Sequence, residues 1–389
     1  MDEFELRGVC SRDVVVDAFI KDEKTNFTRK LDPAPRIIQP RKPVYNLAIG
    51  RILKPMEKAI FRGIAEVFRG VTVMKGYNAD ERGKHISGKW FKYSNPVAVL
   101  LDASRFDQHV SAQALRWEAG VFEACTSHPE LFRRLNGLRR SNRCRIRTDD
   151  GCVQYNVDGC RMSGDMDTAL GNCLLMCAMT WSFMRHLGIK DYSYVNDGDD
   201  GALIMERDHL EIVLGSYEQY FLRMGFTMKL EGVATELEQL EFCQARPIFD
   251  GINWRMVRDP RVCIGKDTRT LKRVLTPAHL RDLRTSIGWC GAALAGDMPI
   301  FCALYSLMVR GTEFVPQQNF ETGMQFLARD LQPRFAQPTD DARASFFFAY
   351  GIAPEEQIAM ESEILSGEVN DSMPVPSDNT SIYSTINLH

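Results

Sequence analysis

The 389-residue chain contains no apolar run near 18 residues, the length a membrane-crossing helix needs. Nothing at its start reads as a signal peptide, so a role at a membrane would require another component to carry it there. Its eleven cysteines are odd in number and lack paired Cys-x-x-Cys spacing. Cys144, Cys152 and Cys160 are evenly spaced, but no His lies near them to complete a zinc site. Free, mostly buried thiols in a reducing compartment are expected, rather than a disulfide framework or a structural zinc. There is no internal repeat and no extended low-complexity tract. Strong net charge is also missing, the total being -3, yet the charge is unevenly spread. Residues 21–100 carry 17 Lys/Arg against 7 Asp/Glu, whereas residues 361–389 carry five acids and no Lys or Arg. A local basic surface matters more to a polyanion than the total does.

Against that background one stretch stands out, Tyr194-Val195-Asn196-Asp197-Gly198-Asp199-Asp200-Gly201-Ala202-Leu203-Ile204-Met205. Apolar residues flank a turn of Asn, Asp and Gly, types that tolerate hairpin backbone angles. The reading is strand, tight turn, strand, with Asp199 and Asp200 presented at the turn. A second pair of carboxylates, Asp102 and Asp107, follows Pro96-Val97-Ala98-Val99-Leu100-Leu101, a continuous apolar run typical of a strand buried on both faces. Two such clusters suit two Mg²⁺ ions, which prefer oxygen ligands and keep contacts to substrate phosphates. Two metals stabilise both the attacking and the leaving oxygen of an in-line phosphoryl displacement, the chemistry of nucleotide polymerisation.

Other segments fit that chemistry. A strand is expected at 14–20. Pro33-Ala34-Pro35-Arg36-Ile37-Ile38-Gln39-Pro40-Arg41-Lys42-Pro43 is too rich in proline for a helix and reads as an extended arm whose cations, Arg36, Arg41 and Lys42, suit a triphosphate. Residues 47–69 have helical spacing with a core face. Seven arginines and no acid occupy 133–147, which in a protein handling nucleic acid would face phosphates. A Ser163-Gly164 loop leads into a helix running to His186, capped by Asp165 or Ser163. On it Thr168 and Asn172, four apart, share one face and can hydrogen-bond a ribose hydroxyl. A helix near 207–224, a turn at Phe242-Cys243-Gln244, mainly helical residues 268–360 and a disordered acidic tail at 361–389 complete the reading.

The order Asp102/Asp107, Ser163-Gly164/Thr168/Asn172, Gly198-Asp199-Asp200 resembles the palm of viral RNA-dependent RNA polymerases. The wider strings Pro33–Arg41, Leu101–Ser111 and Asn196–Asp200 are similar to the tombusvirus-like group of plus-strand plant viruses and their umbravirus-like relatives, over roughly residues 14–260. The resemblance implies an α+β right hand with an antiparallel palm sheet flanked by helices. Fingers would span 1–95, the palm 96–262 with a fingers insertion near 119–158, and a helical thumb 263–360. Asp102 and Asp199 would be the chief Mg²⁺ ligands, with Asp200 supporting and Mn²⁺ a substitute ion. Asp107 and Asn172, helped by Ser163 and Thr168, would sense the 2′-hydroxyl. Lys21 and Arg36 would grip the triphosphate, with Arg41 a weaker candidate. Lys229 would be the general acid for the pyrophosphate leaving group, and the Phe242–Gln244 turn a primer grip. Expected partners are a single-stranded RNA template, the nascent strand, NTPs, a membrane-anchoring viral auxiliary protein and host factors. The place of action would be membrane-associated complexes in the host cytoplasm. Little precedes Lys21, so the chain reads as a fragment, a readthrough or frameshift product, or a compact relative. The rival functions are a reverse transcriptase, against which the polar Asn172 argues, and a silent RNA-binding replicase subunit.

Overall fold

The computed structural model describes residues 8–24, 34–139, 141–148, 150–270, 276–313 and 322–369, with short strand segments at 383–384 and 386–387. The chain divides into two compact units. One comprises residues 1–21, 32–75 and 94–233; the other comprises 22–31, 76–93 and 234–389. These units cut across the boundaries expected from sequence. Residues 76–93 group with 234–389 because helix Ala79–Trp90 lays Gly83 directly on the backbone of Trp254 and Arg255.

The first unit holds the candidate site. Its main sheet has the order β6-β7-β3-β8, formed by β3 (Pro96–Ala103), β6 (Ser193–Asp197), β7 (Asp200–Glu206) and β8 (Met228–Ala234). The apolar run of β3 is buried from Val97 to Leu101, as a strand covered on both faces should be. Val97, Val99 and Leu101 join a core with Ile49, Ile52 and Leu53 of helix Pro43–Val67 and Cys173 and Cys177 of helix Thr168–His186. A second sheet, in the order β2-β1-β4-β5, consists of β1 (Val16–Ile20), β2 (Ile37–Ile38), β4 (Ser141–Thr148) and β5 (Gly151–Asp158). It carries the proline-rich arm as its edge and closes over Val16, Ala18, Cys144 and Met162.

Some local expectations shift. Pro43, expected inside the extended arm, opens the helix, where a missing N–H costs nothing. The helix expected near 207–224 is broken into a 3₁₀ turn, Leu210–Leu214 and Tyr217–Arg223. Neither Ser163 nor Asp165 supplies a side-chain cap to helix Thr168–His186; its N-cap residue is Asp167.

The second unit pairs Ala245–Phe249 with Trp254–Arg258 and adds helices Pro277–Ala295, Phe301–Val309, Asp340–Tyr350 and Pro354–Ser366. The Phe242–Ala245 turn is closed by reciprocal backbone bonds, with Cys243 and Gln244 both at positive φ. Part of the acidic tail lies in described elements. Helix Pro354–Ser366 continues into it, and Glu368–Val369 pairs with Ile386–Asn387. Residues 370–382 lie outside the described residues. All eleven cysteines are free thiols. No helix among the described residues is long and apolar enough to cross a membrane.

Candidate active site

The hairpin between β6 and β7 turns through Gly198 and Asp199 alone, because Asp197 pairs with Asp200. Gly198 takes φ 97° at the first loop position, a conformation a Cβ would strain. The fully buried Asn196 holds this turn from beneath. Its Nδ2–H groups donate to the carbonyls of Gly198 at 2.8 Å and Asp200 at 3.0 Å, and its Oδ1 accepts from Gly198 N–H at 3.2 Å. On the other side of β7, Asp200 faces Asp102 of β3. Asp197, Asp200 and Asp102 therefore form one row across three strands, and directly opposed like charges repel. Lys75 answers part of that charge through its ion pair with Asp197. Asp199 sits exposed at the tip, while Asp102 and Asp200 are half-buried.

A short turn carries the chain from Asp102 to Asp107 through Arg105, a non-glycine residue at φ 50°. Asp107 accepts from Asn172 Nδ2 at 2.9 Å. Burial pushes the Asp107 carboxyl above its ordinary range. The Asn172 hydrogen bond and the charges of Arg161 and Arg36 pull it back, and Asp199 adds to the rise. Asp107, Asn172, Asp199 and Arg36 thus belong to one electrostatic neighbourhood. The His109 ring bonds the Arg105 carbonyl through Nδ1 at 3.0 Å.

Ser163 and Thr168 act on main chain. Ser163 Oγ accepts from Gln39 N–H at 3.2 Å, and Thr168 Oγ1 donates to the Met162 carbonyl at 3.1 Å. The arm bridges to this loop at Pro40 and Gly164, where a Cβ on Gly164 would fall 2.5 Å from Pro40 Cα. Lys21 N–H donates to the Arg36 carbonyl at 2.8 Å, which extends the β1–β2 ladder by one step and sets two exposed cations beside each other.

Arg41 departs from its expected role. It is 4% exposed, and its guanidinium is bonded to Asp165, the Val14 carbonyl and Asn142. It anchors the arm instead of presenting charge to a triphosphate. Three of the seven arginines in the run at 133–147 are likewise engaged with acids. Arg133 pairs with Glu123, Arg139 with Asp165 and Asp167, and Arg145 with Asp17. Arg140 lies outside the described residues. Lys229 is exposed on β8, which flanks β3 on the side away from β7.

Asn196 stood out in the sequence only as a turn former, and Lys75 and Arg161 did not stand out at all. Arg161, just ahead of the Ser163-Gly164 loop, donates through Nε to Asn172 Oδ1 at 2.8 Å. Among the described residues no three His, Cys, Asp or Glu side chains are grouped as a ready metal cage. The Asp102–Asp200 pair nonetheless fits Mg²⁺, which is usually held by one or two carboxylates together with substrate phosphates.

The sequence profile of the family described as viral RNA dependent RNA polymerase matches residues 1–371. The chain is 40% identical over 362 residues to the RNA-directed RNA polymerase of Melon necrotic spot virus, covering 92% of this chain and 46% of that protein. It is 39% identical over 368 residues to the RNA-directed RNA polymerase of Tobacco necrosis virus (strain A), covering 93% and 50%. The protein of the same name from Groundnut rosette virus (strain MC1) is 39% identical over 393 residues, covering 99% and 45%. The chain spans half or less of the length of these relatives. With a matching profile over nearly its whole length and the paired aspartates in place, the chain belongs to the viral RNA dependent RNA polymerase family.

Proposed function

We propose that this chain is the catalytic part of an RNA-directed RNA polymerase of a plus-strand virus. It copies a single-stranded RNA template by nucleotidyl transfer from NTPs. The observation that carries this is the register that sets Asp102 against Asp200 at the hairpin, with the Asp107–Asn172 pair in the same electrostatic neighbourhood as Asp199.

In the proposed reaction the 3′-hydroxyl of the growing strand attacks the NTP α-phosphate and pyrophosphate leaves. Asp102, Asp199 and Asp200 would hold Mg²⁺, or Mn²⁺ in its place. The bound ions supply a lowered hydroxyl pKa and stabilisation of the developing charge. Asn196 fixes the hairpin so that the aspartates need little reorganisation. Lys21 and Arg36, paired at the end of the arm, meet the triphosphate. Asp107 and Asn172 offer a polar pair to the ribose 2′-hydroxyl. Lys229 is the proposed proton donor to the leaving pyrophosphate. Fingers, palm and thumb are the proposed organisation, with the β6-β7-β3-β8 sheet as the palm. A membrane-anchoring viral protein and host factors are the proposed companions, at membrane-associated complexes in the host cytoplasm.

The test is incorporation of labelled NTPs on a short single-stranded RNA, with Mg²⁺ or with EDTA, beside Asp199→Ala. Metal-dependent synthesis by the wild type is expected, and the variant should lose it while keeping its melting temperature and RNA binding. Synthesis by Asp199→Ala at the wild-type rate would reject the assignment.

A further inference from the structure

Arg161 is 2% exposed and joins three things at once. Its backbone N–H donates to the Asp107 carbonyl at 2.7 Å. Its Nε–H donates to Asn172 Oδ1 at 2.8 Å. Its two terminal nitrogens donate to the two carboxylate oxygens of Glu118, Nη1 to Oε1 at 2.9 Å. Glu118, on helix Ala112–Cys125, is itself 1% exposed. Gly171, beside Asn172 on helix Thr168–His186, makes room for the pair, because a Cβ there would collide with Glu118 Oε2 and the Arg161 guanidinium.

The consequence falls on the Asn172 amide. An amide has one accepting oxygen and one donating NH₂, and an arginine only donates. With the oxygen held by Arg161, the NH₂ must face the Asp107 carboxylate, where it donates at 2.9 Å. The reversed amide would set donor against donor at Arg161 and acceptor against acceptor at Asp107. Arginine thus selects one of two orientations, and the fork to Glu118 prevents the guanidinium from turning away. The buried charges are further tied through Asp167, which bonds Arg139 and lies 3.7 Å from Arg161.

We propose that Arg161, locked by Glu118, is a positioning residue for sugar selection, holding the Asn172 amide and the Asp107 main chain in the one arrangement that offers a polar pair to a ribose 2′-hydroxyl. This rests on the polymerase reading above. A pair serving the fold alone would, when altered, lower stability and slow every nucleotide alike. A positioning pair changes the preference between nucleotides.

The experiment measures kcat/KM for UTP and dUTP on one RNA template. It compares the wild type with Arg161→Lys and with the double variant Arg161→Met/Glu118→Leu, each checked by melting temperature and RNA binding. Lysine keeps a charge opposite Glu118 but lacks the planar fork that reaches both partners. The double variant replaces the buried pair by apolar residues and leaves neither charge alone, a change proteins often tolerate. It decides the matter if Arg161→Lys does not fold. Loss of one oriented hydrogen bond should lower the UTP-over-dUTP preference roughly tenfold, through kcat/KM for UTP, with dUTP little changed. A folded variant that keeps the wild-type preference overturns the inference, even where both rates fall in parallel. A wild type that makes no RNA overturns the polymerase reading instead, and this inference with it.

Discussion

Replacing Arg41 by alanine should destabilise the protein rather than weaken nucleotide binding. The sequence places this cation in an extended basic arm, where a triphosphate clamp is the natural expectation. In the fold its Nε–H donates to Asp165 Oδ1 at 2.7 Å, Nη1–H to the Val14 carbonyl at 2.6 Å, and Nη2–H to Asn142 Oδ1 at 2.6 Å. The side chains of Arg41 and Asp165 are 1% and 6% exposed. Truncation leaves a buried carboxylate with Arg139 as its remaining cation at 3.1 Å, and strips partners from a carbonyl and an amide. Breaking a buried pair in this way costs about 3–5 kcal/mol. For a unit in the 150–250-residue range, each kcal/mol moves the melting temperature by about 2–4 °C, so a fall of roughly 6–20 °C is expected. The assay is thermal unfolding of Arg41→Ala beside Arg36→Ala. Arg36 is exposed, so its variant should melt within ~0.5 kcal/mol of wild type while raising KM for NTPs. If Arg41→Ala melts like wild type and raises KM for NTPs, the structural assignment of Arg41 is refuted.

Three further outcomes follow from the geometry. Asn196→Ala removes the amide that closes the hairpin and should cost about 1–3 kcal/mol, with slower NTP incorporation but unchanged RNA affinity; an unchanged kcat would contradict its role. Lys75→Met removes the cation at the end of the Asp197–Asp200–Asp102 row, so the Mg²⁺ concentration for half-maximal synthesis should fall as the row becomes more negative, and a rise would contradict this. Lys89 is buried, which, with Lys92 adding to it, lowers its pKa from 10.5 to about 8. The unfolded chain then binds the extra proton between those values, so stability rises with pH through that window, by on the order of 3 kcal/mol. Lys89→Met should melt above wild type at pH 7, by a margin that shrinks toward pH 10; a constant margin would contradict the assignment.

Much of the fold was legible because its signals are local. The buried strand at 96–103 announced itself as an apolar run, the hairpin by its Asn-Asp-Gly turn, and the helix to His186 by its length of apolar residues. The same holds for the aspartates, since a carboxylate at the end of a buried strand and another at a tight turn are visible in the chain itself. The helix break at Gly215 carries a local signal, since glycine is a poor helix former, but the apolar spacing of Leu210, Val213, Tyr217 and Phe221 runs on across it and reads as one helix.

By itself the sequence determined the candidate chemistry: which carboxylates, amides and hydroxyls were available, and on which strand, turn or helix. Only the tertiary structure decided which of them meet. Asp102 and Asp200 face each other through a strand register, and register depends on pairing between distant segments. Arg41 lies 124 residues from Asp165, and Arg161 lies 43 from Glu118, so nothing nearby in the chain announced that these cations were buried and paired. Arg139 and Arg145 of the arginine-rich run looked free for phosphates because their acids, Asp165, Asp167 and Asp17, lie elsewhere in the sequence. Whether a charge serves a ligand or the fold depends on burial and on the opposite charge beside it, and both are properties of the folded chain.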